Sequence, residues 1–158
     1  MRFVDPGVGT VNEQYLLAAL AHHGQLVASG REVAYKRLFT PGDDRFIGDA
    51  FGLFTEGGVA SLVGIEIKDW AAPVAPKVAS EYMATYGRSC DFFYLAARTF
   101  MPGVRRLAGI GLIDLTGPKV VRKADRLNPD EAAWRYVTAS LREAPAARPM
   151  HPRQRTFE

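Results

Sequence analysis

Two consecutive glycines, Gly57 and Gly58, interrupt a long apolar stretch and limit how the chain around them can fold. Both central positions of a two-residue hairpin turn need positive φ, which glycine adopts without steric cost. The stretch from Phe46 to Lys68, FIGDAFGLFTEGGVASLVGIEIK, therefore predicts two antiparallel strands joined at the glycines. The register of this hairpin decides which side chains of the two strands face each other.

The predicted register brings charged side chains together. It places Asp49 directly opposite Glu66, and Ile47 opposite Lys68. Side chains alternate between the two faces of a strand, so Glu66 and Lys68 share a face and Asp49 joins them across the ladder. Opposed Cβ atoms lie about 5 Å apart, so the two carboxylates repel each other unless a cation lies between them. The pattern favours a divalent-metal site, with a lysine beside it that handles a water or a phosphate.

The same residues carry a resemblance to a known family. Asp49 in IGDAF, followed by Glu66 and Lys68 in GIEIK, resembles the metal core of the PD-(D/E)XK, or restriction-endonuclease-like, nucleases. Gly48 stands where that family usually has a proline. The resemblance implies an α/β fold, in which a mixed β-sheet sandwiched by helices forms a restriction-endonuclease-like core. The residues alone leave a second interpretation open, a surface hairpin with solvated charges.

Two further segments are similar to particular branches of these nucleases. KVASEYMATYGRSCDFFYLAA and GVRRLAGIGLIDLTGPKVVRKA resemble the second half of MmcB-type bacterial DNA-repair nucleases, and the similarity spans roughly residues 46–124. GTVNEQYLLAALAHHG resembles the first helix of archaeal-type Holliday-junction resolvases, in which a glutamate joins the metal site. By that resemblance Glu13 is a catalytic candidate. Thr10 to Glu13 is also a capping-box sequence, so the alternative is that Glu13 only caps the helix.

The resemblance implies a Mg²⁺-dependent DNA endonuclease of repair, recombination or restriction, in which Mn²⁺ can substitute. Asp49 and Glu66 would bind the metal, with the backbone carbonyl of Ile67 as a further ligand. Lys68 would orient a water or stabilise the charge that develops on the phosphate. The alternative is a module of nuclease-like fold that binds nucleic acid without cleaving it.

Other titratable residues are weaker candidates. Asp43 and Asp44, in a turn before the hairpin, compete with Asp49 for the metal, but a strand holds a ligand more firmly than a loop. His22 and His23 follow the first helix and are interpreted as exposed residues near the negative end of its dipole, rather than as metal ligands.

Length and composition limit the number of domains, the partners and the cellular compartment that we expect. The chain has 158 residues, a net charge of +3 and a pI near 9.2, which suits a single globular domain and is compatible with DNA as a partner. Its single cysteine, Cys90, favours a reducing compartment. No apolar run reaches the roughly 18 residues of a spanning helix, and the N-terminus lacks signal-peptide organisation. We expect a cytoplasmic protein with no membrane partner, and leave homodimer formation open.

The remaining sequence predicts the order of the other elements. Residues 1–143 are expected to form one nuclease-like domain, and the Pro- and Arg-rich residues 144–158 a disordered tail or a cationic arm. The strand–helix–strand order after Lys68 favours a right-handed crossover between parallel strands. The predicted elements are a helix over 10–23, a strand within 25–39, a helix over 77–88, a strand over 91–99, a hairpin turned at Gly117-Pro118, and a last helix from its cap Asn128 to about Glu143.

Overall fold

The computed structural model of the protein describes residues 13–36 and 45–143. The candidates Asp43 and Asp44, the capping partner Thr10 and the predicted tail lie outside these ranges. The strands are β1 (Gln25–Lys36), β2 (Arg45–Glu56), β3 (Val59–Lys68), β4 (Phe92–Ala97), β5 (Gly111–Asp114), β6 (Lys119–Arg122) and β7 (Arg142–Glu143). The helices are α1 (Glu13–Ala18), α2 (Pro76–Tyr86) and α3 (Glu131–Thr138), with 3₁₀ turns at Ala21–His23 and Pro102–Arg106.

The strands form one mixed sheet in the order β6-β5-β4-β3-β2-β1-β7. Strands β3, β4 and β5 are parallel, and the other neighbours are antiparallel. Helix α2 connects β3 to β4, so the predicted crossover between parallel strands is present. The predicted α/β class with a mixed sheet is confirmed.

The β2–β3 hairpin follows the predicted register. Gly57 and Gly58 have φ values of 60° and 83°, in the left-handed region that the turn requires. Seven residue pairs follow, the last of which is Ala50 with Ile65. The ladder ends there, one pair before Asp49 and Glu66, and the Oδ2 of Asp49 accepts the N–H of Ile67 at 2.7 Å. Asp49 therefore bonds the neighbouring strand through its side chain.

Helices cover both faces of the sheet. On one face, apolar residues of α1 and of the turn after it pack against alternate residues of β2 and β3: Leu16, Leu17 and Leu20 with Ala50, Phe54, Val63, Ile65 and Ile67. On the other face, α2 and α3 cover the intervening positions: Ala79, Tyr86 and Val137 with Phe51, Leu62 and Phe93. Glu66 and Lys68, which alternate with Ile65 and Ile67, therefore lie on the face that α2 covers.

Two helix boundaries differ from the predictions. The last helix begins at Glu131 because the Oδ2 of Asp130, and not Asn128, caps it by accepting the N–H of Ala133 at 3.1 Å. It ends at Thr138, and β7 then pairs with β1. Helix α1 ends at Ala18, and a 3₁₀ turn replaces the rest of the predicted helix. No helix in the described ranges is long and apolar enough to cross a membrane.

Candidate active site

Three of the four predicted catalytic side chains meet beneath α2. Asp49, Glu66 and Lys68 are 6%, 3% and 3% exposed, so the sheet and α2 shield all of them from solvent. The Nζ of Lys68 lies 2.9 Å from the Oε2 of Glu66. We refer to these three residues as the Asp-Glu-Lys cluster.

Tyr86, at the end of α2, belongs to the same network. Its hydroxyl donates to the Oε1 of Glu66 at 2.6 Å, accepts the N–H of Asp49 at 3.2 Å, and lies 3.2 Å from the carbonyl oxygen of Ile65. A Cβ at Gly64 would lie only 2.6 Å from the Tyr86 ring, so the glycine makes room for it. Tyr86 was not among the site residues predicted from the sequence. The available signal was its place on the helix directly after the Glu-x-Lys strand.

Aromatic rings cover the lysine. The Nζ of Lys68 lies 4.4 Å from the ring centroid of Tyr82 and 5.3 Å from that of Trp70. Cations at such distances from a ring face are attracted by its quadrupole, most strongly when water is excluded. Trp70 is 40% exposed, so its ring forms part of the outer surface above the cluster. A ligand that approaches Lys68 from this side meets Trp70 and Tyr82 first.

The buried charges of the cluster do not balance. Burial raises the pKa of Glu66, and the charge of Asp49 raises it further, against the bonds from Tyr86 and Lys68. Burial lowers the pKa of Lys68, but contacts with Tyr82 and Glu66 outweigh it and the pKa is raised. Two carboxylates beside one ammonium carry a net charge of −1 when all are ionised. The cluster therefore favours the uptake of a proton or a cation.

The donor set suits a hard divalent cation. Carboxylate and carbonyl oxygens are the protein ligands that Mg²⁺ prefers, and Mg²⁺ commonly uses only one or two carboxylates. Within residues 13–36 and 45–143, no three or more His, Cys, Asp or Glu side chains are grouped so that they could hold a metal ion. Both oxygens of Glu66 already bond Tyr86 or Lys68, so a metal on Glu66 would have to replace one of these contacts.

Glu13 is not brought to the cluster. It opens α1, is 8% exposed, and has its Oε1 3.8 Å from the Nη1 of Arg31. Helix α1 packs on the opposite face of the sheet from the Asp-Glu-Lys cluster. Glu13 instead lines a cavity of about 690 Å³ together with Arg31, Arg142 and Glu143.

No protein-family model matches this chain, and no curated protein matches it either. Among solved structures it is similar to a protein of unknown function from Silicibacter pomeroyi, with a TM-score of 0.50 and 22% sequence identity. The similarity covers 78% of this chain and 79% of that one. At this level of identity it concerns the fold alone.

Proposed function

We propose that the protein is a metal-dependent DNA endonuclease with a restriction-endonuclease-like core. The observation that carries the proposal is the convergence of Asp49, Glu66 and Lys68 in one buried, net negative cluster. Two carboxylates and a lysine in one buried cluster can hold a metal ion and stabilise the charge that develops on a phosphate. A buried net charge is costly, so a fold that retains one is expected to use it.

Each residue has a role that follows from its chemistry. Asp49 and Glu66 would hold Mg²⁺, with the carbonyl of Ile67 as a further ligand. When bound, the metal would polarise the scissile phosphate and lower the pKa of a coordinated water. Lys68, released from Glu66, would donate to a phosphate oxygen as charge develops there. Tyr86 would keep the Glu66 carboxylate oriented through its 2.6 Å bond.

A second candidate is a module that binds nucleic acid without cleaving it. The observation in its favour is the Lys68–Glu66 ion pair, which is closed by Tyr86 on one side and covered by Tyr82 and Trp70 on the other. A cleaving enzyme must open this arrangement to admit a phosphate, whereas a binding module has no need to do so.

Cleavage assays that compare Lys68→Met with wild type separate the two candidates. Mg²⁺ or Mn²⁺ would be added to a panel of linear, branched and single-stranded DNAs. If the protein is a nuclease, we expect Lys68→Met to slow cleavage by about 10²-fold or more, the usual scale for loss of one preorganised charge. Lys119→Met is the matched control, because it removes an exposed lysine from β6, and it should retain wild-type cleavage.

Metal binding and folding are measured in parallel. Asp49→Asn should weaken Mn²⁺ binding, because it replaces an anionic ligand with a neutral amide. Breaking a buried ion pair typically costs about 3–5 kcal/mol, so circular dichroism must show that Lys68→Met is folded at the assay temperature. Wild-type protein that binds DNA and cleaves nothing would favour the binding module. Unchanged cleavage by folded Lys68→Met would remove the lysine from the mechanism.

A further inference from the structure

A second polar cavity lies at the other end of β3, where the proposed nuclease chemistry has no role. It has a volume of about 260 Å³. Ser61, at the start of β3, is separated from Lys68 by about 23 Å along the strand at 3.3 Å per residue. Ser61 also lies on the α1 side of the sheet, because it alternates with Leu62 in the same way as Val63. The residues that line the cavity are His22, His23, Glu56, Val59, Ser61, Phe92 and Arg126.

The two histidines are fixed by one buried tyrosine. The Nε2 atoms of His22 and His23 lie 3.1 Å and 2.7 Å from the hydroxyl of Tyr94, which also accepts the N–H of Ala124 at 3.2 Å. A phenol has one proton to donate, so Tyr94 can donate to only one of the two imidazoles. The expectation of exposure is confirmed for His22 and is wrong for His23, which is partly buried and packs against Phe92 with ring centroids 4.3 Å apart.

Arg126 is held in place on another wall of the cavity. Its guanidinium lies 4.7 Å from the ring centroid of Phe92, and its Nη2 donates to the Oγ of Ser61 at 3.0 Å. Its Nη1 lies 3.5 Å from the Oδ1 of Asp91. A guanidinium has five N–H donors, so three have no partner in the described part of the chain. The Arg126 side chain is 53% exposed, so a ligand can reach these donors from solvent.

Two histidines lie close to the positive charges of Arg126 and Lys123 at this cavity. Burial lowers the pKa of His23 to about 4, and the charges of His22, Arg126 and Lys123 add to this effect. Burial and Lys123 likewise lower the pKa of His22. The carboxylates nearby are Glu56, which lines the cavity, and Asp91, whose oxygens bond Leu62, Trp134 and Arg126. Tyr94, with a pKa of about 12, remains neutral.

We propose that this cavity binds a small oxyanion, either free phosphate or the terminal phosphate of a phosphomonoester, together with a proton on the His22–His23 pair. Arg126, Ser61 and the imidazoles supply the donors. The volume lies below the roughly 300–1,000 Å³ of pockets for drug-sized ligands, which favours a group of phosphate size. A bound anion offsets the repulsion among the cations, and so it raises the affinity of both imidazoles for protons.

The test begins with sulfate, whose charge does not change near neutral pH. Sulfate binding to the full chain should tighten by about tenfold per pH unit, or about 100-fold between pH 7 and pH 5, if one proton is taken up with the anion. In NMR spectra, the histidine ring signals should titrate at higher pH with sulfate than with chloride at equal ionic strength. Unmoved histidine titrations, or affinity that is independent of pH, would overturn the proposal.

Variants locate the site. Arg126→Gln should weaken sulfate binding by about tenfold or more, since a charged hydrogen bond to the anion is lost. Arg135→Gln, which removes an exposed arginine of α3, is the control and should bind as wild type does. If Arg126→Gln does not fold, His23→Gln provides the second variant, because it should reduce the pH dependence of binding. Wild-type behaviour of either variant would contradict the site.

Competition identifies the source of the anion. Inorganic phosphate and a 5′-phosphorylated dinucleotide should each displace sulfate from the wild-type protein. Equal displacement would identify free phosphate as the ligand, and stronger displacement by the dinucleotide would identify a terminal phosphate. Failure of both to compete would refute the proposal. None of these measurements depends on nuclease activity.

Discussion

At the scale of single residues, the Asp-Glu-Lys cluster is held together by side chains that are far apart in the sequence. Strand alternation alone puts Glu66 and Lys68 on one face, and the hairpin brings Asp49 beside them. The hydroxyl of Tyr86 comes from 20 residues beyond Glu66, and its position depends on how α2 lies over the sheet. The alternation of side chains along a strand therefore predicts the three charged residues of the cluster. It carries no information on Tyr86, whose hydroxyl orients the Glu66 carboxylate.

Glu66 makes a testable contribution to the pH dependence of stability. Its pKa in the folded protein is raised above the ordinary value of 4.5, so the folded state binds more protons than the unfolded state just above that pH. The stabilisation is complete below about pH 4.5 and is lost as pH rises through the folded pKa. We expect the free energy of unfolding of wild type, relative to Glu66→Gln, to fall as pH rises from about 4.5 to 8.

Urea unfolding of both proteins across this range measures the difference. The pKa of Lys68 is raised above 10.5, so its own contribution stays constant over these pH values. Glu131→Gln is the control, because Glu131 is 73% exposed and pairs with Arg135 on the surface, and its difference from wild type should be nearly flat. A difference for Glu66→Gln that rises with pH would show that the carboxylate is stabilised in its ionised form.

At the scale of helices and strands, local chemistry decided which predictions were accurate. The β2–β3 turn was predictable because few residues other than glycine adopt its φ values. The start of α3 was not, since Asn128 and Asp130 are both good caps and local preference does not choose between them. The early end of α1 also depends on distant contacts, because the following turn carries His22 and His23 to Tyr94, which is more than 70 residues away.

The hairpin turn gives a prediction that isolates backbone strain. A Cβ at Gly58 would meet no atom within 4 Å, so a substitution there costs only what the positive φ of 83° imposes. We expect Gly58→Val to destabilise the protein by about 1–2 kcal/mol, and Gly58→Asn by less, because asparagine tolerates this region better. Both values would come from urea unfolding.

Gly117 provides the matched control in the turn between β5 and β6. A Cβ added there would also meet no atom within 4 Å, and Gly117 is not among the glycines with positive φ. Gly117→Val should therefore change stability by no more than about 0.5 kcal/mol, as is usual at exposed positions. Equal losses at the two glycines would mean that the turn geometry is not the source of the cost.

At the scale of the whole molecule, the sheet separates the candidate residues into distinct environments. The α2 face holds the Asp-Glu-Lys cluster at the end of β3. The α1 side holds Glu13 and, at the start of β3, the cavity lined by His22 and His23. Sequence resemblance placed Glu13 with the metal site, but it could not show on which face of the sheet α1 packs. That choice depends on which apolar stripe of the sheet the helix covers, and both faces of β3 are apolar.

The last prediction concerns residues 144–158, which carry three arginines and one glutamate. Their removal lowers the net charge from +3 to +1, and each lysine or arginine that contacts a phosphate contributes about −0.9 to the slope of log affinity against log salt. If the segment is a cationic arm of a DNA-binding protein, the truncated chain should bind DNA more weakly at low salt. Its salt dependence should be shallower by up to about 3.

Fluorescence anisotropy with a labelled duplex over a salt series would measure both quantities. A variant with Arg148, Arg153 and Arg155 changed to glutamine in the full-length chain is the control, because it removes the positive charges and keeps the length. It should reproduce the truncation if charge is the cause. The melting temperature of the truncated protein should stay close to that of the full chain, since a Pro- and Arg-rich segment has little apolar area to bury. An unchanged salt slope would show that these arginines do not contact DNA. A large loss of melting temperature would show that the segment packs on the folded domain.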